Sequence, residues 1–231
     1  MRIETTRLII TEFTMDMAET VHLNSPDEDN RRLGSYPVTL KDGTYIGYVQ
    51  AVPSDDGTWE IGYHIDDKFT NQGYATEAVT EFLPVIMKQI GITEMTGICL
   101  ADNTASVKVM ERCGFIKLYQ GIGNYQGEER EICKFVYYLS PKDIVVKFFE
   151  DGYTNHNYDF VMNCMAEDYI DNSPAAARSN ADAVGILKIV AGQFSNLTIK
   201  ALENFKVENG KITESWGYWP DKEIEQKLKS E

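Results

Sequence analysis

Residues 1–140 alternate between two hydrophobic periods. RLIITEF (7–13) is apolar and β-prone, and it predicts a strand. TMDMAETVHLN (14–24) predicts a short helix, with Thr14 or Asp16 as its cap, and the polar run SPDEDNRRLGS (25–35) a loop. YPVTL (36–40) and TYIGYVQAVP (44–53) flank Asp42-Gly43, which predicts a hairpin. SDDG (54–57) is a second turn of the same kind, leading into the strand TWEIGYHI (58–65). The period then changes. Over 77–91, Ala78, Phe82, Ile86 and Ile90 fall on one helical face, and Gly91 stands where a helix C-cap belongs. EMTGICLAD (94–102) predicts a strand and NTASVKVMERCG (103–114) a short helix ending in glycine. FIKLYQGIG (115–123) and REICKFVYYL (130–139) predict two antiparallel strands. This order of elements specifies an α+β fold, a mixed central sheet with helices on both faces.

Ser140-Pro141-Lys142 interrupts the pattern. Residues 143–174 predict two helical segments around a turn containing Gly, Asn and His. A third helix is expected over 181–194 and a hairpin over 198–220, across Asn209-Gly210. Helices followed by strands predict a second, smaller α+β domain, giving domains of 1–140 and 141–231. The charged tail DKEIEQKLKSE is expected to be helical.

Composition narrows the function classes. The 231 residues are 43% hydrophobic and carry a formal charge of −14, with Lys plus Arg 22 against Asp plus Glu 36. That balance argues against a nucleic-acid partner, which requires a basic face. Cys99, Cys113, Cys133 and Cys164 lie far apart in the sequence, outside any CxxC or Cys/His spacing, so they are expected to be mostly buried thiols in a reducing compartment, with no metal site. The opening MRIETTRLII lacks the pattern of a secretory signal, and no run of 18 apolar residues is present. The expectation is a cytoplasmic protein without a membrane partner.

The stretch FTNQGYATEA (69–78) joins a strand to a helix through Gly73. The first N–H groups of a helix have no intrahelical partner and sit at the positive end of its dipole. A glycine there lets a phosphate approach the backbone. The same residues also suit a packing turn. One glycine without a lysine is not a common nucleotide-binding loop.

The neighbouring segments change the balance. Together with TTRLIITEF, with Thr70-Asn71-Gln72-Gly73-Tyr74-Ala75, with Asn103-Thr104-Ala105-Ser106 and with Gly114-Phe115, residues 3–139 resemble the GNAT N-acetyltransferase superfamily, in its ribosomal-protein N-acetyltransferase branch. The resemblance implies an N-acetyltransferase that uses acetyl-CoA as cosubstrate, with direct attack by a primary amine in a ternary complex. It implies that the backbone amides of Gln72, Gly73, Tyr74, Ala75 and Thr76 hold the diphosphate. Asn103 would contact the pantetheine or the reacting region, and Ser106 the more distal cofactor. The strand bearing Ile61, Tyr63 and Ile65 would pair with the pantetheine amides and polarise the thioester carbonyl through an N–H. Two positions depart from the family pattern. Thr70 stands where Gln or Arg is usual, and Met110 stands where many relatives carry a tyrosine acid. The segment between Asn24 and Tyr36 is also short for the helix that usually walls the acceptor pocket.

Amine attack needs a base. Glu60 is the candidate, on the strand just before the acetyl-binding stretch, and by alternation it shares a face with Gly62 and His64. Tyr119 and Tyr125 are candidate donors to the leaving sulfur. Glu77 is read as a charge matched to the helix dipole. Residues 143–228 resemble the SnoaL-like cone fold in abridged form, with about three strands, and Trp216, Tyr218 and Trp219 are read as core or interface. Two other functions remain open: a non-catalytic acyl-CoA-binding or sensor protein, and a C-terminal isomerase- or hydrolase-like pocket. The acceptor is a small-molecule or peptide amine of unspecified class, and two abridged domains leave room for a homodimer.

Overall fold

The structure, a computed structural model, describes residues 1–13, 35–54, 56–173, 175–193 and 202–218. The helix expected over 14–24, the shortened acceptor wall and the charged tail lie outside the described residues. The chain divides into two units. The first holds Met1–Cys113 and Tyr119–Leu139, and the second holds Gly114–Leu118 and Ser140–Glu231.

The first unit is built on an eight-stranded sheet. Its strands are β1 (Arg2–Glu4), β2 (Leu8–Thr11), β3 (Ser35–Leu40), β4 (Tyr45–Pro53), β5 (Trp59–Ile65), β6 (Glu94–Leu100), β7 (Ile116–Tyr125) and β8 (Glu128–Tyr138), in the spatial order β1-β2-β3-β4-β5-β6-β8-β7. Neighbours from β1 to β5 are antiparallel, β5 and β6 are parallel, and β6 and β8 are antiparallel. The sheet is therefore mixed, as the order of elements requires. The Asp42-Gly43 turn forms as expected: the Asp42 carboxylate accepts from Thr44 N at 2.9 Å and Gly43 has φ 90°. β1, only three residues long, was not legible as a strand.

Two helices follow the strands, α1 (Tyr74–Ile90) and α2 (Thr104–Arg112). α1 buries Ala78, Val79, Phe82, Leu83, Ile86 and Met87 and ends at Gly91, whose φ of 82° and N–H to the Met87 carbonyl make the expected cap. Phe82 packs on Tyr36 of β3, ring centroids 5.1 Å apart. Ile61 and Tyr63 share that face with Tyr36, by the register Tyr36↔Val49↔Tyr63. α2 lies on it as well. Met110 is buried over Gly97, where an added Cβ would stand 2.6 Å from the Met110 methyl and 3.2 Å from Ile61. Both described helices of this unit thus occupy one face. The expected helix for the opposite face, 14–24, lies outside the described residues.

The start of α1 is tied to the start of β2. Glu77, in the helix's first turn, accepts from the Thr5 hydroxyl and from the backbone N–H of Arg7 at 2.8 Å, and it pairs with the Arg7 guanidinium at 2.6 Å. Burial pushes the Glu77 carboxyl up, but these donors outweigh it and hold it below the usual carboxylate range.

The second unit contains α3 (Pro141–Phe149), a π-helical turn (Glu150–Thr154), α4 (Tyr158–Cys164), β9 (Met165–Asp171), α5 (Asn180–Gln193), β10 (Leu202–Glu208) and β11 (Lys211–Tyr218). Its three strands run in the order β10-β11-β9, with β11 and β9 parallel. The β10–β11 hairpin turns at Asn209 and Gly210, both at positive φ, as the Asn-Gly pair predicts. One expectation fails here. Residues 143–174 are not two helices throughout, because α4 stops at Cys164 and the chain continues as β9. Met-Ala-Glu-Asp favours a helix locally, but pairing with β11 and burial of Tyr169 win over propensity. Phe148, Phe149, Tyr153 and Phe205 form an aromatic cluster within this unit.

Two outcomes are expected. Phe82→Ala removes a fully buried ring from the α1–sheet contact and should destabilise the protein by about 3–5 kcal/mol, read from the denaturant midpoint. Glu77 gives a pH dependence. A carboxyl held low in the folded state contributes stability that is fully present above its unfolded pKa of about 4.5 and is lost as pH falls through the lowered folded value. Glu77→Gln should therefore lower stability at neutral pH and flatten the acid limb of the stability curve; an unchanged limb would contradict the assignment.

Candidate functional site

The strand-to-helix stretch has the backbone of an anion site. Asn71 has φ 59°, and Gly73, the N-cap of α1, has φ 80° and ψ 5°. Among the described residues no side chain caps this helix start, so none of them takes up the amides of Tyr74, Ala75 and Thr76, which are open to water or a ligand. Glu77 N already bonds the Gly73 carbonyl, at 3.0 Å. Gly73 and the amides that follow thus sit together at the positive end of a seventeen-residue helix. Thr70 takes no part: its hydroxyl donates to the Asp67 carbonyl at 2.9 Å and closes the short 3-10 turn Asp67–Phe69.

The second feature is a parting of strands. β5 and β6 share one register pair, Glu60↔Thr96, beside which the Thr96 hydroxyl donates to the Trp59 carbonyl at 2.9 Å. On its other side β5 pairs with β4 along its whole length, and Asp66 N continues that ladder to the Ile46 carbonyl at 2.9 Å. Even-numbered residues of β5 therefore turn their backbone groups toward β4. Ile61, Tyr63 and Ile65 turn theirs toward β6. Beyond the single pair, Tyr63 and Ile65 direct an N–H and a C=O into the gap.

The side chains divide by face. Ile61 is buried, and the Tyr63 hydroxyl donates to the Ser106 carbonyl of α2 at 3.2 Å. Burial drives the Tyr63 phenol well above its ordinary range, so it stays protonated at neutral pH. Glu60 and His64 lie on the opposite face, as alternation predicts. His64 is exposed and stacks on Tyr48, ring centroids 5.9 Å apart. The Glu60 carboxyl is raised, first by burial and then by Asp56, and the Lys134 ammonium offsets part of this. Tyr125 is raised by burial and by the neighbouring Cys99 and Glu60. Tyr119 is spent locally, donating to the Ile122 carbonyl at 2.9 Å.

Asn103 is the N-cap of α2, and its Oδ1 accepts from Ser106 N at 3.1 Å. That gives both residues a structural role that holds whatever binds nearby. One residue was missed in the sequence. Arg7 reaches the loop from the start of β2. Its Nη1 donates to the Gln72 carbonyl at 2.9 Å and its guanidinium lies 4.4 Å from the centre of the Tyr74 ring. With Arg7 and Gln72 65 positions apart in the sequence, no local pattern signals this contact.

Loop, gap and raised carboxyl fit an elongated anionic cosubstrate whose polar arm runs along β5. Comparison with known proteins agrees. The family model described as "Acetyltransferase (GNAT) domain" matches residues 4–116. The FsC-acetyl coenzyme A-N(2)-transacetylase of Aspergillus fumigatus is 36% identical over 33% of this chain and 37% of its own length. An uncharacterized N-acetyltransferase of Bacillus subtilis, YnaD, is 26% identical over 49% of this chain and 82% of its own. The crystal structure of a GNAT-family acetyltransferase from Bacillus anthracis superposes with a TM-score of 0.52 at 23% identity, covering 60% of this chain and 99% of that one. The chain spans little more than a third of the Aspergillus enzyme. Acetyltransferases of this family use acetyl-CoA. No described helix is long and apolar enough to cross a membrane. Over residues 4–116, just under half of its length, this chain is similar to GNAT acetyltransferase domains.

Proposed function

We propose that this chain is an acetyl-CoA-dependent N-acetyltransferase that brings acetyl-CoA and a primary amine together in a ternary complex. The observation that carries the reading is the open β5–β6 ladder beside an uncapped α1 with a left-handed glycine at its start. Acetyl-CoA supplies the acetyl thioester. The amides of Gln72, Gly73, Tyr74, Ala75 and Thr76 hold its diphosphate. The β5 backbone at Ile61, Tyr63 and Ile65 pairs with its pantetheine arm and directs an N–H at the thioester oxygen. Asn103, whose Oδ1 is committed to the α2 cap, keeps its amide N–H donors for the cofactor, and Ser106 holds the turn beside it. Glu60 takes the proton that the attacking amine must lose. Burial raises its affinity for a proton above that of an ordinary carboxylate, which strengthens it as a base.

The acceptor is a small-molecule or peptide amine. The acidic chain suits a cationic acceptor. A cytoplasmic setting is part of the proposal, supported by four cysteines that are all buried and outside any disulfide. Residues 141–231 are read as an abridged SnoaL-like domain without chemistry of its own. What supports that is three helices set against a three-stranded sheet. Buried Met110, at the position of the family's tyrosine acid, favours one rival reading, a protein that binds acyl-CoA without transferring the acyl group.

A CoA-release assay over classes of amine separates the two. Transfer to at least one amine class is expected. Glu60→Gln should lower kcat by about 10²–10³ with little change in the KM for acetyl-CoA. It should also abolish the acid limb of the kcat/KM profile, which lies above the ordinary carboxylate range. Acetyl-CoA binding without release across the panel would establish the binding-only function, and an active Glu60→Gln with an unchanged profile would remove Glu60 from the chemistry.

A further inference from the structure

The resemblance leaves one contact at the diphosphate loop vacant. Thr70 replaces the usual Gln or Arg, and its hydroxyl is occupied by the Asp67 carbonyl. Backbone amides alone would then face the charge of a diphosphate. The structure places a cation there from elsewhere in the chain.

Arg7 is held on three sides by the loop and the first turn of α1. Its Nε donates to Glu77 at 2.6 Å, its Nη1 donates to the Gln72 carbonyl at 2.9 Å, and its plane lies over Tyr74. Nη2 stands 3.5 Å from the point where a Cβ on Gly73 would be. Among the described residues, no hydrogen bond engages Nη2. The Arg7 side chain is 43% exposed and Glu77 16%; their ion pair accounts for the Nε edge of the guanidinium but not for the bond from Nη1 to the Gln72 carbonyl. What the fork adds is orientation. By donating to the Gln72 carbonyl, Arg7 occupies that acceptor and holds it in place. The same guanidinium brings its free Nη2 donors beside Gly73, the residue a diphosphate would approach most closely.

We infer that Arg7, 65 residues upstream of the loop, is the cationic positioning residue of the diphosphate site: it fixes the Gln72 carbonyl and presents Nη2 beside Gly73. Glu77 fixes the guanidinium in turn. The inference rests on the acetyl-CoA reading above.

Calorimetric titration of the full chain with CoA tests it, at low and at high sodium chloride, for wild type, Arg7→Met and Arg7→Lys. Arg7→Met is expected to bind CoA about tenfold more weakly at low salt. Its affinity should also depend less on salt than that of the wild type, because one charge at the site is gone. Arg7→Lys keeps the charge but not the fork, so it should retain the salt dependence and recover only part of the affinity. Should Arg7→Met fail to fold, judged by its circular dichroism, Arg7→Gln takes its place in the same comparison. A wild type that does not bind CoA overturns the acetyl-CoA reading itself. A wild type that binds while the neutral variant matches it within twofold overturns the role of Arg7 alone. So does a weakened neutral variant with an unaltered salt dependence, which would mark Arg7 as a structural brace.

Discussion

The proposed chemistry of the first unit depends on β5 and β6 separating after a single parallel pair. A continuous ladder between them would consume the backbone groups that Tyr63 and Ile65 point into the gap. Leaving such groups without a protein partner is tolerable only where water or a ligand can reach them. The fold can hold the strands apart because each is anchored on its far side. β5 makes seven register pairs with β4, and β6 makes seven with β8. Beneath the gap, α2 is fixed by the Tyr63 hydroxyl on Ser106 and by Met110 seated over Gly97. A side chain at residue 97 would meet the methionine, so this glycine is a packing requirement of the helix.

Charge poses a second constraint. A chain of net charge −14 repels anions at long range, and an acetyl-CoA site in it must overcome that locally. The Debye length at physiological salt is about 8 Å, so the distant surface is largely screened. Donors in contact with the ligand are not. The α1 amides and the Arg7 guanidinium lie at that range, and Glu77, itself an acid, faces Arg7 and Thr5. Its charge is spent on organising the cation. This resolves the reading of Glu77 as a carboxylate matched to the helix dipole: the dipole contributes, but the specific donors at 2.6 and 2.8 Å set its geometry.

What the sequence disclosed follows from where the information lies. Asp42-Gly43, Gly91 and Asn209-Gly210 announce turns and caps because the constraint is local, a positive φ that few residues accept. The α1 face was legible from its period, although Ile90 is only half-buried. Glu60, Ile61 and Tyr63 fell on the faces that strand alternation assigns. β9 was not legible, since its strand character comes from pairing with β11, nearly fifty residues downstream. Arg7 was invisible for the same reason. Asn103 shows a different limit. The contact this motif residue makes within the chain, the cap on Ser106, is the ordinary one for an asparagine at a helix start.

Met110 in place of a tyrosine bears on whether the proposed transfer is chemically feasible. Two protons are at issue in amine acetylation, one that the amine must lose and one that the departing sulfur takes up. An alkylammonium resembling lysine holds its proton with a pKa of about 10.4, whereas a thiol releases one at about 8.5. The amine side is the harder of the two near neutral pH, because the nucleophile must be deprotonated before it can attack. The thiolate is a competent leaving group without a proton and can collect one from water afterwards. An active site can thus dispense with its acid at less cost than with its base. This protein retains a half-buried carboxylate of raised proton affinity on β5 and uses the tyrosine position to pack α2 onto Gly97. The departure at Met110 is therefore compatible with the proposed transfer, in which the chemical burden would fall on Glu60.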